Sequence, residues 1–186
     1  MKEIIMYRDQ EIEILPDENA ESPDSWGCDD AFIVYDHNQF YVKRKGFDST
    51  EIFEHCQEIK RMFYNGYYVF PVYAYIHSGV SLSLGKGTYP FNDRWDVSMK
   101  GFCLVKRMKG MWFREKCYKL AESIVEEWNM YLCGDVWGYN SEFGSCWGFY
   151  GEGGKTEMIA EAKAEIDSAL EQKRIEIDKL QLKLAL

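Results

Sequence analysis

The chain has 186 residues, 46% of them hydrophobic, which suits a folded protein with a core of ordinary domain size. Its 31 acidic and 22 basic residues leave a net charge of −9, which argues against a protein that grips duplex nucleic acid by neutralising phosphates. It carries no cofactor motif, no signal peptide and no apolar run of membrane-spanning length, so the expectation is a cytoplasmic protein with no membrane partner.

In chain order, Glu3–Tyr7 and residues 11–15 read as two short strands that reverse through Arg8-Asp9-Gln10. Residues 16–30, with two prolines and many acids, read as a surface loop. Residues 32–42 alternate apolar and polar around His37-Asn38, which suits a hairpin because Asn tolerates the left-handed backbone of a turn. Asp48 with Glu51 three residues on has the form of a capping box. It opens a helix whose Ile52, Cys56, Ile59 and Phe63 share one stripe, with Gly66 as its expected stop.

Tyr67–Ile76 and Val80–Leu84 are rich in β-branched and aromatic residues, broken at His77-Ser78-Gly79, and residues 99–106 continue the sheet after a loop holding Pro90 and Trp95-Asp96. Over Arg114–Cys133 the spacing of Cys117, Leu120, Ala121, Ile124, Val125, Trp128, Tyr131 and Leu132 predicts an amphipathic helix, with Gly134 as a left-handed cap. Residues 134–139 and 145–151 predict a closing hairpin that returns to the sheet. This order predicts an α+β fold, mainly an antiparallel sheet with two packed helices and a long C-terminal helix.

After Gly151-Glu152-Gly153-Gly154 the composition shifts to Ala, Glu, Lys and Leu, and residues 156–186 contain no aromatic residue. The division expected is an α+β domain over residues 1–151 and a helical extension over residues 152–186. Ile159, Ile166, Lys173 and Leu180 form one seam of a heptad pattern, and Lys163, Leu170, Ile177 and Leu184 form the other. Such a helix either docks on its own domain or pairs with a partner, and a homodimer through residues 156–186 is one expectation.

Candidate chemistry is sparse. The six cysteines include no C-x-x-C pair, so neither a zinc site nor a redox motif is suggested and no metal is expected. His77 and Ser78 are adjacent on a strand and point to opposite faces, which argues against a Ser-His-Asp triad with Asp96. If the sheet brings them together, His77, Asp96 and Asp135 have the residue types for a hydrolytic site acting on nucleic acid or a nucleotide, or for a divalent-ion site, and the bland alternative makes His77 and Asp96 a buried hydrogen-bonded pair. Gly85-Lys86-Gly87-Thr88 lacks the frame of a phosphate loop.

Asp17, Glu18, Glu21, Asp24, Asp29 and Asp30 lack the oxygen-ligand spacing of a calcium loop, and read instead as an acidic surface facing a basic partner. The run Lys100, Lys106, Arg107, Lys109, Arg114, Lys116 and Lys119 reads as a solvated face, and direct nucleic-acid binding is not expected.

Asp17-Glu18-Asn19-Ala20-Glu21-Ser22-Pro23 with Trp26, His77-Ser78-Gly79, Trp95-Asp96 with Gly101-Phe102, the stretch Tyr131-Leu132-Cys133-Gly134-Asp135-Val136-Trp137-Gly138-Tyr139, and residues 145–151 together resemble a widespread family of small accessory proteins of bacterial phages and conjugative elements. The resemblance covers about residues 17–151. The chain departs from the family pattern at Ile76, where an acid commonly precedes His-Ser-Gly, and over residues 97–100. The resemblance implies a role against host defence, of the anti-CRISPR or antirestriction class, with a Cas nuclease or similar effector as partner. The surface residues expected to bind are Asp17, Glu18, Glu21, Asp24, Trp26, Trp95, Trp137, Tyr139, Trp147 and Tyr150, with no cofactor and no bond made or broken. The alternatives are a nuclease or nucleotide hydrolase using His77, Asp96 and Asp135, and a helix-mediated adaptor.

Overall fold

The computed structural model describes residues 2–85, 97–107 and 114–184, with side chains at all of these except 26, 97–100 and 114. In chain order the elements are β1 (Glu3–Tyr7), β2 (Gln10–Pro16), a short 3-10 helix (Pro23–Trp26), β3 (Ala31–His37), β4 (Phe40–Val42), α1 (Ser49–Ile59), β5 (Phe63–Tyr64), β6 (Tyr67–Ile76), β7 (Val80–Leu84), β8 (Val97–Lys106), α2 (Arg114–Cys133), β9 (Val136–Ser141), β10 (Gly144–Tyr150) and α3 (Gly151–Leu184). Among the described residues every strand pairing is antiparallel, and the fold is α+β with a long C-terminal helix. The chain divides into two compact units. One joins Met1–Glu21 to Gly134–Leu186, and the other is Ser22–Cys133.

The Ser22–Cys133 unit is a sheet in the order β4-β3-β8-β6-β5, with β7 also paired to β6. Strand alternation gives this sheet two apolar faces, and a helix covers each. On one side Cys117, Ala121, Val125 and Trp128 of α2 pack with Ile33, Tyr35, Val72 and Val105. On the other, Ile52 and Cys56 of α1 pack with Phe32, Val34, Val69 and Leu104. The Asp48 carboxylate accepts from the backbone N–H groups of Thr50 and Glu51 at 2.9 and 3.1 Å, satisfying two of the donors that a helix start leaves open. The Asn129 amide of α2 accepts from the N–H of Leu82 at 2.7 Å and donates to its carbonyl at 2.9 Å, which ties the helix to β7.

Helix α1 ends at Ile59, with Lys60 in the left-handed region, and does not run on to Gly66. Asn65 and Gly66, at φ of 46° and 90°, form a two-residue turn between Tyr64 and Tyr67, so Phe63 belongs to a strand and not to the helical stripe. Asn-Gly is the pair that such a hairpin turn selects, because both central residues need positive φ.

In the other unit the sheet order is β1-β2-β9-β10. The closing hairpin therefore does not return to the sheet of β6 and β8. It pairs through β9 with β2, building a second sheet from the two ends of the chain. Helix α3 begins at Gly151, and Met158, Ala162 and Ile166 are fully buried against Ile12, Ile14 and Tyr139. The division thus follows strand pairing and the cover one sheet face needs, whereas the change in composition after residue 151 falls inside one unit.

Candidate functional site

The sheet of β1, β2, β9 and β10 has α3 on one face only. Its pairing places Ile4 opposite Glu13, Glu13 opposite Asn140, Met6 opposite Glu11, Leu15 opposite Gly138, and Gly138 opposite Trp147. These residues alternate with the ones packed on the helix, so they share the other face. Three of them are large and apolar and stay exposed: Ile4 at 51%, Met6 at 63% and Trp147 at 44%. The Trp147 indole lies over Gly138, where any Cβ would run into the ring. Lys2 donates to Glu13 and holds its carboxyl below the usual carboxylate range, with Asn140 assisting. The result is an apolar patch with two carboxylates, Glu11 and Glu13, set between its aliphatic and aromatic members.

Several residues expected at the surface hold the fold instead. Tyr139 is fully buried in the core under α3, where burial first and then the carboxylate of Glu165 push its phenol far above the ordinary value. Trp137 is half-buried and donates from Nε1 to Asp135 at 2.7 Å, while the Lys155 ammonium sits 4.6 Å from its ring centre and pairs with Glu3 at 2.7 Å. Asp135 thereby orients Trp137, and its carbonyl accepts from the N–H of Gly151 at 2.9 Å. The Tyr150 hydroxyl donates to the carbonyl of Glu21 at 2.7 Å. Ring-rich β9 and β10 read as surface because aromatic residues in a strand fit either face, and only the pairing partner decides which side is inside.

The acidic segment is divided between roles. Asp17 accepts from the N–H of Asn19 at 3.1 Å, and Glu18 and Glu21 are exposed. Asp24 and Asp29 both pair with Arg44, whose guanidinium lies 4.8 Å from the centre of the Phe32 ring, and Asp30 pairs with Lys106 at 3.1 Å. His77 is exposed at the turn between β6 and β7, with its ring centre 6.4 Å from that of Tyr75. His77 lies in the Ser22–Cys133 unit and Asp135 in the other. Trp95 and Asp96 lie outside the described residues, as does the side chain of Trp26.

A second feature had no counterpart in the sequence reading. Beyond the end of α1, a groove of about 720 Å³ is lined by Lys60, Arg61 and Arg107 with Met62, Phe63 and Tyr68, and among the described residues no carboxylate lines it. Phe63 and Tyr68 meet edge to face at 5.8 Å. Within the basic run, alternation along β8 sends Lys106 to Asp30 and leaves the next residue, Arg107, at the groove. Lys60 and Arg61 stand where a helix was expected to continue, so only the Asn65-Gly66 turn signal could have located them.

Among the described residues no group of three or more His, Cys, Asp or Glu side chains is placed to hold a metal ion. Burial pushes up the thiols of Cys56, Cys103, Cys117 and Cys146, the opposite of what a nucleophilic cysteine needs. No helix among the described residues is long and apolar enough to cross a membrane. Comparison with family models, with curated proteins and with solved structures gave no match.

Proposed function

We propose that this chain acts by binding and not by catalysis, docking a positively charged macromolecule through the open face of the sheet formed by β1, β2, β9 and β10. The observation that carries the reading is the exposure of Ile4, Met6 and Trp147 on one sheet face beside Glu11 and Glu13. Exposed apolar side chains supply contact energy when desolvated, Trp above all, and carboxylates between them favour a basic partner and speed encounter with it. The resemblance to phage and conjugative-element accessory proteins makes that partner a host defence effector, a nucleic-acid-guided nuclease or a restriction enzyme with a basic nucleic-acid channel.

The test is phage or plasmid survival in bacterial cells carrying one CRISPR or restriction system at a time, with and without the chain. Protection by the wild type, lost with Trp147→Ser and Met6→Ser, is the expected result. Protection that persists in the double variant removes the sheet face from the reading, and no protection in any system removes the defence role.

The cationic groove favours a second reading, in which the chain holds a phosphorylated ligand, with Lys60, Arg61 and Arg107 on the phosphate and Phe63 or Tyr68 against its base. Calorimetric titration with nucleoside phosphates checks it, and binding unchanged in Arg61→Ala with Arg107→Ala counts against it.

A further inference from the structure

Helix α3 is 34 residues long, about 51 Å, and only its first part lies on the sheet. Along one stripe, Met158, Ala162 and Ile166 are buried, Leu170 is half-buried, and Lys173 reaches back to Glu142 at 3.6 Å and over the Phe143 ring at 4.7 Å. The same stripe then continues through Ile177, Leu180 and Leu184, at 53%, 54% and 87% exposure. Every residue over 171–184 is exposed. A helical stretch this short is marginal in water without packing, and this one presents aliphatic residues to solvent at the spacing of a seam.

The charges beside the seam say what covers it. Glu176 and Lys183 flank it on one side, and Arg174 and Gln181 flank it on the other. A parallel pair of such helices sets Lys173 against Lys173 and Glu176 beside Gln181, a charge repulsion that no opposite-charge pair offsets. An antiparallel pair centred between Ile177 and Leu180 sets Ile177 against Leu180 twice and lays Leu184 along the methylene stem of Lys173. It also brings Glu176 beside Lys183 of the second copy, twice.

The geometry points to antiparallel self-association of the chain through the end of α3, with a second copy of the chain as the occupant of the exposed stripe. Ile175 and Leu182, at 44% and 70% exposure, lie on the opposite side of the helix and allow two such pairs to stack. The overlap is about 12 residues, or about 18 Å, so the interface sits at the small end of specific contacts and the association is concentration-dependent.

Sedimentation equilibrium of the full chain tests this. The expected mass rises with concentration from one chain to two or four. Leu180→Glu abolishes the rise, Glu176→Lys weakens association about tenfold by turning two attractions into repulsions, and Glu176→Lys with Lys183→Glu restores it. Helix content followed by circular dichroism separates a melted helix end from a lost interface. A mass of one chain at about 0.5 mM, association that survives Leu180→Glu, or failure of the double charge swap to recover what the single swap lost overturns the proposal.

Discussion

The two sheets use apolar residues in opposite ways. In the Ser22–Cys133 unit, Ala31, Phe32, Ile33, Val34 and Tyr35 are buried in succession because α2 takes one face of β3 and α1 the other. In the other unit β2 buries only alternate residues, Ile12 and Ile14, because α3 covers one face alone. A strand buried on both sides is all core and offers a partner nothing. A strand buried on one side keeps a second row of side chains whose identity stability leaves nearly free, so an apolar residue on that row calls for a role in recognition.

The contrast can be broken by measurement. Leu104→Ala, deep beneath α1, is expected to cost about 2–5 kcal/mol in urea unfolding, whereas Trp147→Ala on the open face stays within about 1 kcal/mol. Equal costs at the two positions would mean that the open face is core. Next in size, Asn129→Ala leaves the N–H and carbonyl of Leu82 without their partner and costs about 1–3 kcal/mol by the same assay, showing that the doubly covered sheet depends on a polar clasp as well as on packing.

Smaller effects sharpen the comparison inside the singly covered sheet. Among the described residues the buried Tyr139 hydroxyl makes no hydrogen bond of good geometry, and it lies beside the Glu165 carboxylate, so Tyr139→Phe is expected to be neutral or to stabilise by up to about 1 kcal/mol, with a lower melting temperature as the contrary result. On the open face the Glu13 carboxyl is held below its unfolded value by Lys2. Its contribution is therefore intact above the ordinary carboxylate range and is lost as pH falls through the lowered value. Lys2→Ala should raise the Glu13 titration midpoint followed by carboxyl NMR, and an unmoved midpoint would exclude the pair as its cause.

Local signals were legible wherever the chemistry is local. Asp48 and Glu51 mark the start of α1, the 3.6-residue spacing from Cys117 to Leu132 marks α2, and Gly134, at φ 73°, ends it. What the sequence hides is partner choice. Trp137 and Tyr139 look alike in a list of surface rings, yet they face α3 because β9 pairs with β2 across more than a hundred residues, and no local pattern carries that pairing. The cationic groove was hidden for a similar reason. Arg107 is far in sequence from the adjacent Lys60 and Arg61, and it reaches them because the Asn-Gly turn lays β6 beside β5 and β8 then pairs with β6.

One unit is a continuous stretch of chain and the other is assembled from both ends, and this sets an order of events on the ribosome. Residues 22–133 can collapse as soon as they emerge. The β1-β2 hairpin leaves the tunnel well before β9 and has no third strand until β9 is made, and a lone hairpin is marginal in water. At about 5–20 residues per second the hairpin waits for about 6–24 s with Ile12 and Ile14 uncovered, so nascent chains stalled before β9 should bind chaperones through β1 and β2.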